Sequence, residues 1–540
     1  MPPLVKLPPV PSALALIAAA FVLPGLAGHD LWKSHDAIGL GIVHDMALRG
    51  DLLVPHIAGM PWLEDPPLYH WVALGFGTLL GPLLEFHAAA RLASGALMLA
   101  AFGFVYLAAR DWSAAEDRRT SAAAAVLILL GSIGLMVHAH EALPELASLA
   151  ALCGALATLP YAARRPLAAG VAFGAALGLA LMADGWIVPA SLALAVAAGH
   201  AICPEWRTRR AAPFVGVALV VALALAASWP LALASRHPEL AAAWRQAAFT
   251  PQGEAATNLR YFLATGSWFA WPAWPLALWA AWSMRRRWSD PRLFVPACAV
   301  AVALVLLAAW GPTQDVVLIP LLAPLALLAA HGVFALRRGA AAALDWFGVL
   351  TFAFFAFLVW LGYFAMQTGV PARLARNLGR QAPGFEAELE LLPLAFALLL
   401  TAGWLYLVFF TAPSPVRSVA RWAGGIVLLW GSVAMLWMPW VDYQKSYRAV
   451  ALQLRASVPP GEHCIARRSL GMPQAAALAY HGGIRTRPLD PLDPQACGLL
   501  LVQGHPSHEY DGPDAAWEKL ADVGRPGDRS ERYRLYRLNR

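Results

Sequence analysis

The sequence predicts an all-α polytopic membrane protein with a small α/β domain at its C-terminal end, on three observations. Hydrophobic residues make up 59% of the 540 and charged residues only 14%, a balance with too little polar surface for a soluble fold of this size. Apolar runs of about 20 residues, the length a helix needs to cross hydrocarbon with its backbone satisfied internally, recur as far as Trp440. Beyond Trp440 the chain turns polar, and residues 441–540 suffice for one small domain.

Lys6 precedes the first apolar run, 11–28. The run has the small residues of a cleavable signal near its end, but with so many spans behind it an uncleaved first helix is expected. Loops rich in arginine stay cytoplasmic, and arginines cluster at 110–119, 164–165, 207–210, 285–287, 337–338 and 417–421. With the N-terminus inside, the spans fall near 11–28, 88–109, 120–137, 146–162, 167–183, 185–202 and 211–233. The others fall near 266–283, 293–310, 316–335, 346–366, 391–411 and 422–440. Thirteen crossings put the tail on the outer side. Segment 67–86 is apolar, yet counting it as a span would invert every later loop. Its Tyr69, His70 and Trp71 suit a helix lying in the interface instead.

The first outer loop, 29–87, is then unusually long and holds most of the polar chemistry. Its stretch 36–48 reads as a helix ended by Gly50. Further outer segments are 138–145, the turn at Asp184, 234–265, 311–315 and 367–390, and they carry charges of both signs. In the tail, 441–457 and 474–480 read as helices, and 464–466, 498–503 and 532–538 as strands.

The formal charge of +7 comes almost wholly from arginine, with four lysines in the chain; in a membrane protein such an excess sets orientation, not nucleic-acid binding. Cys153, Cys203 and Cys298 lie in or beside apolar runs without metal-ligand spacing and read as packing residues. Cys464 and Cys497 are either a disulfide, if the tail is periplasmic, or two free thiols. There is no Gly-rich phosphate loop, paired CxxC or nucleophile elbow, so soluble nucleotide-sugar chemistry is unsupported.

Two stretches carry a resemblance. Gly50-Asp51-Leu52-Leu53-Val54-Pro55-His56 and Gly59-Met60-Pro61-Trp62-Leu63-Glu64-Asp65-Pro66-Pro67-Leu68-Tyr69-His70-Trp71 resemble the first outer loop of the bacterial aminoarabinose transferase and protein mannosyltransferase superfamily. Ala89 to Ser94 is similar to the start of that family's second span, and Ile319-Pro320-Leu321-Leu322 to a later helix. These are GT-C fold glycosyltransferases that use polyprenyl-phosphate sugars. The resemblance implies an inverting transfer to a lipid, glycan or protein acceptor, lipid A among them, on the periplasmic face of a bacterial inner membrane. A flippase for a lipid-linked sugar and an inactive scaffold relative are the rival readings. Internal repeats and charged residues within spans, which would favour a transporter, are not evident.

The family's acidic pair at the start of the loop helix falls here on His35 and Asp36, and its Pro-Asp pair on Pro144-Glu145. Asp36, with His35 and Glu145, is therefore the expected catalytic set; Asp36 would act as general base, or merely cap the loop helix. Where the family has a basic residue after the loop glutamate this chain has Asp65, and where it has a lysine after the fifth span, Asp184. Donor phosphate would then fall to Lys33, Arg49, Arg245 and Arg260, or to a divalent metal (Mg²⁺ or Mn²⁺) held by Asp36, Asp65, His140 or Glu145. Glu64, Asp65, Tyr69, His140 and Glu141 are the expected substrate contacts.

Overall fold

The computed structural model describes residues 11–32, 35–207, 211–490, 493, 495–507, 513 and 516–539. Each of the thirteen apolar runs is helical over most of its length. Among the described residues, seven helices are long and apolar enough to cross a membrane by themselves: Phe86–Trp112, Pro166–Asp184, Ala212–Arg236, Pro291–Trp310, Arg338–Thr368, Leu391–Phe410 and Arg417–Leu436. Shorter apolar helices, Pro11–Val22, Leu68–Leu80, Ile187–Ile202 and Leu322–Ala335, accompany them, and Arg118–Leu130, Pro144–Thr158 and Ala273–Ser283 add to the same buried core.

Beside a core of buried Leu, Phe and Trp side chains, close backbone approach holds parts of the bundle together. Between two helices in lipid there is no hydrophobic drive to draw on, so small residues that permit dense packing decide which faces meet. Gly170, Gly174 and Gly178 form such a stripe on Pro166–Asp184; a Cβ on Gly174 would sit 2.3 Å from the Ala218 carbonyl oxygen of the neighbouring helix. The helices Arg338–Thr368 and Leu391–Phe410 instead present many exposed large apolar side chains, Phe354, Phe357, Leu398 and Leu399 among them, and so face lipid.

Segment 67–86 is a helix only over Leu68–Leu80. Its 13 residues reach about 20 Å at 1.5 Å per residue, short of the hydrocarbon thickness. Its buried residues are Tyr69, His70, Ala73 and Gly77, and Tyr69 and Ala73 share a core with Ala90 and Ala93 of Phe86–Trp112.

The polar end of the chain forms a five-stranded sheet in the order Arg487–Pro488, Ile465–Arg468, Leu499–Gly504, Arg532–Leu538, Trp517–Val523. The first three strands are parallel and the last two pair antiparallel. The expected helix over 441–457 is two helices, Met438–Lys445 and Arg448–Ser457. The break falls at Ser446, whose hydroxyl donates to Asp30 Oδ2 (2.5 Å) and accepts from the Arg448 amide (3.0 Å). Strands 487–488 and 517–523 had no readable signal: the first is two residues ending in proline, the second the charged run Trp-Glu-Lys-Leu-Ala-Asp-Val. Cys464 and Cys497 are joined as a disulfide, while Cys153 and Cys203 are buried free thiols and Cys298 a partly buried one.

The loop helix, His35–Arg49, is clamped between bundle and tail. A Cβ on Gly39 would stand 2.1 Å from the Ala142 carbonyl oxygen, and one on Gly41 2.6 Å from Ala476 Cβ in the tail helix Met472–Gly482. Leu40 and Val43 share one core with Val450, Leu454 and Leu478. The tail thus packs directly on the first outer loop.

Candidate functional site

Four short stretches meet at one end of the bundle around a cavity of about 650 Å³. The first is the start of the loop helix, which brings His35 to the wall. The second is a hairpin absent from the sequence reading. Strands His56–Ile57 and Met60–Pro61 pair antiparallel across Ala58 and Gly59, both with positive φ (49° and 86°), as a two-residue turn matched to strand twist requires. The Gly59 amide donates to Asp45 Oδ2 of the loop helix at 2.8 Å, which fixes the hairpin. The chain leaving it, Trp62 to Pro66, lines the cavity with Glu64 and Asp65; Trp62 Nε1 donates to Asp65 Oδ2 at 3.2 Å.

The third stretch is 142–145, where Pro144 opens the helix Pro144–Thr158 and sets Glu145 in its first turn. The fourth is Asp184, which ends Pro166–Asp184 before Gly185, at φ 83°, turns the chain back. Trp186, just beyond, donates from Nε1 to the Ala248 carbonyl (2.9 Å) and stacks on Phe249. With Trp62, Trp244 and Trp310 it forms an aromatic wall.

Four carboxylates, Glu64, Asp65, Glu145 and Asp184, therefore share the cavity with two imidazoles, His35 and His70. Among the described lining residues there is no lysine or arginine. Burial raises the Glu64 and Asp65 carboxyls above the ordinary carboxylate range, and Asp65 raises Glu64 further. Burial also lowers the His35 imidazole, leaving it neutral at neutral pH. Glu145 is 7% exposed and its Oε2 has no hydrogen-bond partner; both ring nitrogens of the fully buried His70 are likewise unpartnered. A buried polar atom without a partner is costly, so this cavity has acceptors and donors to spare for a polar ligand.

Several expected site residues stand elsewhere. Asp36 does not line the cavity. Its carboxylate accepts from Arg91 Nε (3.1 Å) and Nη2 (2.8 Å) and from the Ala142 amide (3.0 Å), and it is 2% exposed. Burial would raise this carboxyl, but the Arg91 guanidinium holds it below its usual value. With three donors on its two oxygens and the side chain enclosed away from the cavity, the carboxylate is committed to the ion pair and does not face a substrate. Arg49, Arg245 and Arg260 are exposed and outside the lining, and Lys33 lies outside the described residues. His140 stacks on Trp430 and donates to the Phe21 carbonyl at 2.8 Å. Tyr69 is fully buried with its hydroxyl on Ser94 Oγ at 2.8 Å. The set Asp36, Asp65, His140 and Glu145 does not converge on a common point. The one described group whose ligand atoms lie within 4.8 Å of one another is Asp30, Glu85 and His87, and there Arg448 already bridges Asp30 and Glu85.

Glu141 is tied up by His138, whose Nδ1 lies 2.6 Å from Glu141 Oε2 and Nε2 3.5 Å from Asp315 Oδ2. Burial would lower this imidazole, but Asp315 and Glu141 hold its cation up to about 10. The folded value lies above the ordinary 6.5, so the stabilisation is fully present below about pH 6.5 and lost as pH rises through about 10. Accordingly, the thermal unfolding midpoint of His138→Gln should fall furthest below wild type at pH 6, and the gap should close by pH 10.5. A gap independent of pH would mean that the imidazole is neutral.

No family model matches the chain. It is 28% identical over 451 residues to the undecaprenyl phosphate-alpha-4-amino-4-deoxy-L-arabinose arabinosyl transferase of Pseudomonas aeruginosa (strain UCBPP-PA14), covering 79% of this chain and 75% of that one. It is 24% identical to the protein of the same name from Pseudomonas savastanoi pv. phaseolicola, with 78% and 76% covered. Among solved structures, ArnT from Cupriavidus metallidurans bound to undecaprenyl phosphate superposes with a TM-score of 0.69 over 97% of both chains, at 19% identity. The chain has the GT-C fold, as the first loop leads one to expect. Within that class its sequence is similar to those of the undecaprenyl phosphate-aminoarabinose arabinosyl transferases.

Proposed function

We propose that this protein transfers a sugar from a polyprenyl-phosphate carrier to a lipid, glycan or protein acceptor at the face of the membrane that carries the cavity. The observation that carries the reading is the cavity itself. Its acidic groups come from the first outer loop, the first turn of Pro144–Thr158 and the end of Pro166–Asp184, all at one end of apolar helices that a lipid carrier can approach sideways. An acceptor hydroxyl attacks the anomeric carbon as the C1–O bond to the phosphate breaks; the electron pair leaves with the phosphate oxygen, and the hydroxyl proton passes to a carboxylate. Attack opposite the leaving group inverts the anomeric centre.

Glu145 is the best-placed base, because its Oε2 is buried in the cavity wall and unpartnered. His35, neutral and on the same wall, can accept a hydrogen bond from a sugar hydroxyl. Four carboxylates with no cation among the described lining residues favour a positively charged sugar. The relatives' names specify a 4-amino-4-deoxy sugar, and an amino sugar carries such a charge. The aromatic wall of Trp62, Trp186, Trp244 and Trp310 suits the apolar faces of a sugar ring.

Glu64, Asp65, Glu145 and Asp184 are hard oxygen donors of the kind Mg²⁺ or Mn²⁺ prefers, and an ion would have to draw them together, since their ligand atoms do not lie within 4.8 Å of one another as a group of three. When bound, such an ion would offset charge on the departing phosphate. In the topology we favour, residues 1–440 form a thirteen-span transferase domain with loop 29–87 outside. Residues 441–540 form a periplasmic domain, and the N-terminus is cytoplasmic. The arginine clusters in alternate loops between apolar runs support this orientation.

The test uses the full chain in proteoliposomes with a polyprenyl phosphate-4-amino-4-deoxy-arabinose donor and lipid A as acceptor. Formation of a new glycosidic bond, detected by mass, is the expected result. Movement of donor across the bilayer with no such bond would replace transfer with transport.

A further inference from the structure

A second depression, of about 870 Å³, opens at the same end of the molecule and is built from two separate stretches of chain. Helix Ala372–Gln381 supplies Arg373, Arg376 and Arg380, and the loop joining strands Trp517–Val523 and Arg532–Leu538 supplies Arg529. All four arginines are exposed. Arg376 donates only to the Ala372 carbonyl and Arg380 only to Asn377; none of the four meets a carboxylate among the described residues. Several acids stand nearby in sequence, at Glu386, Glu388 and Glu390, yet they line a different pocket.

The juxtaposition is held by tight packing. Gly527, at φ 72°, lies so close to Gln381 that a Cβ there would stand 2.1 Å from its carbonyl oxygen, and the Tyr443 hydroxyl donates to the Pro383 carbonyl at 2.8 Å. Four guanidiniums held together without counter-charges repel one another, so their retention points to an anion. Arginine presents a planar fork matched to phosphate oxygens.

The surroundings say which anion. Helix Ala372–Gln381 follows three residues after Arg338–Thr368 and precedes Leu391–Phe410, both lipid-facing. Val370, Leu389, Leu391 and Leu392 beside it are large, apolar and exposed. Leu378 points inward while the arginines point out. The helix therefore lies at headgroup depth, on the face that carries the sheet and away from the arginine-rich loops of the other face. We propose that this depression binds the phosphate headgroup of an anionic lipid through Arg373, Arg376, Arg380 and Arg529.

The inference is independent of the transfer reaction. It is tested on the full chain in neutral detergent by binding of radiolabelled dioctanoyl phosphatidate, with dioctanoyl phosphatidylcholine, inorganic phosphate and polyglutamate as competitors. Wild type should bind phosphatidate, and phosphatidylcholine should compete at least about tenfold less well. The triple variant Arg373→Gln, Arg376→Gln, Arg380→Gln should bind about tenfold or more weakly, since hydrogen bonds to charged groups are the strong ones. Arg285→Gln, Arg286→Gln, Arg287→Gln, which removes the same charge at a distance, should bind as wild type. Should the triple variant fail to fold, Arg529→Gln reads the same loss from the other stretch. Equal losses in both triples, or no loss in Arg529→Gln, would overturn the site. Competition by inorganic phosphate or polyglutamate as strong as by unlabelled phosphatidate would assign it to a free anion or an acidic peptide, and overturn the lipid.

Discussion

Glu145→Gln is expected to reduce the turnover of sugar transfer by about 10² to 10⁴, the usual worth of a positioned general base, without lowering the thermal unfolding midpoint. The amide keeps the shape of the side chain but cannot take a proton from an acceptor hydroxyl. Folding should not suffer, because Oε2 has no partner to lose and the substitution takes one of four crowded carboxyl groups out of an enclosed space. Donor affinity should change little or improve, since a carboxylate facing a phosphate is repulsive. Turnover of labelled donor in proteoliposomes, read beside the melting curve, separates these effects. A variant that transfers at wild-type rate would remove Glu145 from the chemistry and leave Asp65, its neighbour across the cavity, as the next base to substitute. A variant that melts early would instead make Glu145 a structural residue.

How far the sequence led can be argued from particular residues. Hydropathy and arginine spacing locate all seven membrane-length helices found among the described residues, because a bilayer leaves a coarse and redundant signal. Glu64, Asp65 and Glu145 were found through the first loop and the Pro144-Glu145 pair, and they do meet in one cavity. Asp184 stood out only as an acid where the family has a lysine, and its place beside the other three depends on how two helix ends are juxtaposed, which no local pattern encodes. The hairpin at 56–61 escaped because its strands are two residues each, too short for alternation to register. Asp36 misled because a carboxylate at the start of a helix reads alike whether it faces substrate or cation. Its partner lies 55 residues on, and Arg91 was read only as part of the next helix. Arg245 and Arg260 carry the right charge for a phosphate, but both are exposed and stand outside the cavity lining.

The assignment of Asp36 to structure has its own expected result. Arg91 is fully enclosed; besides both Asp36 oxygens it reaches the carbonyls of Leu26, His29 and Asp30 at 3.3 Å each. Removing either member strands the other as an unpaired buried charge, at a cost of roughly 3–5 kcal/mol. Asp36→Ala and Arg91→Leu should therefore both lower the unfolding midpoint in detergent by many degrees, and by similar amounts. The double variant should recover part of the loss and no more, because the Leu26 carbonyl and the Ala142 amide lose their partners, while the His29 and Asp30 carbonyls keep His87 Nε2 and His29 Nδ1. Through that amide the pair also holds the turn before Pro144, so transfer should fall in all three variants in step with stability. A general base at Asp36 makes the opposite forecast: Asp36→Asn would silence transfer at an unchanged midpoint, and Arg91→Lys, which preserves the charge, would spare both. Finding that pattern would return Asp36 to the chemistry and leave Glu145 to explain.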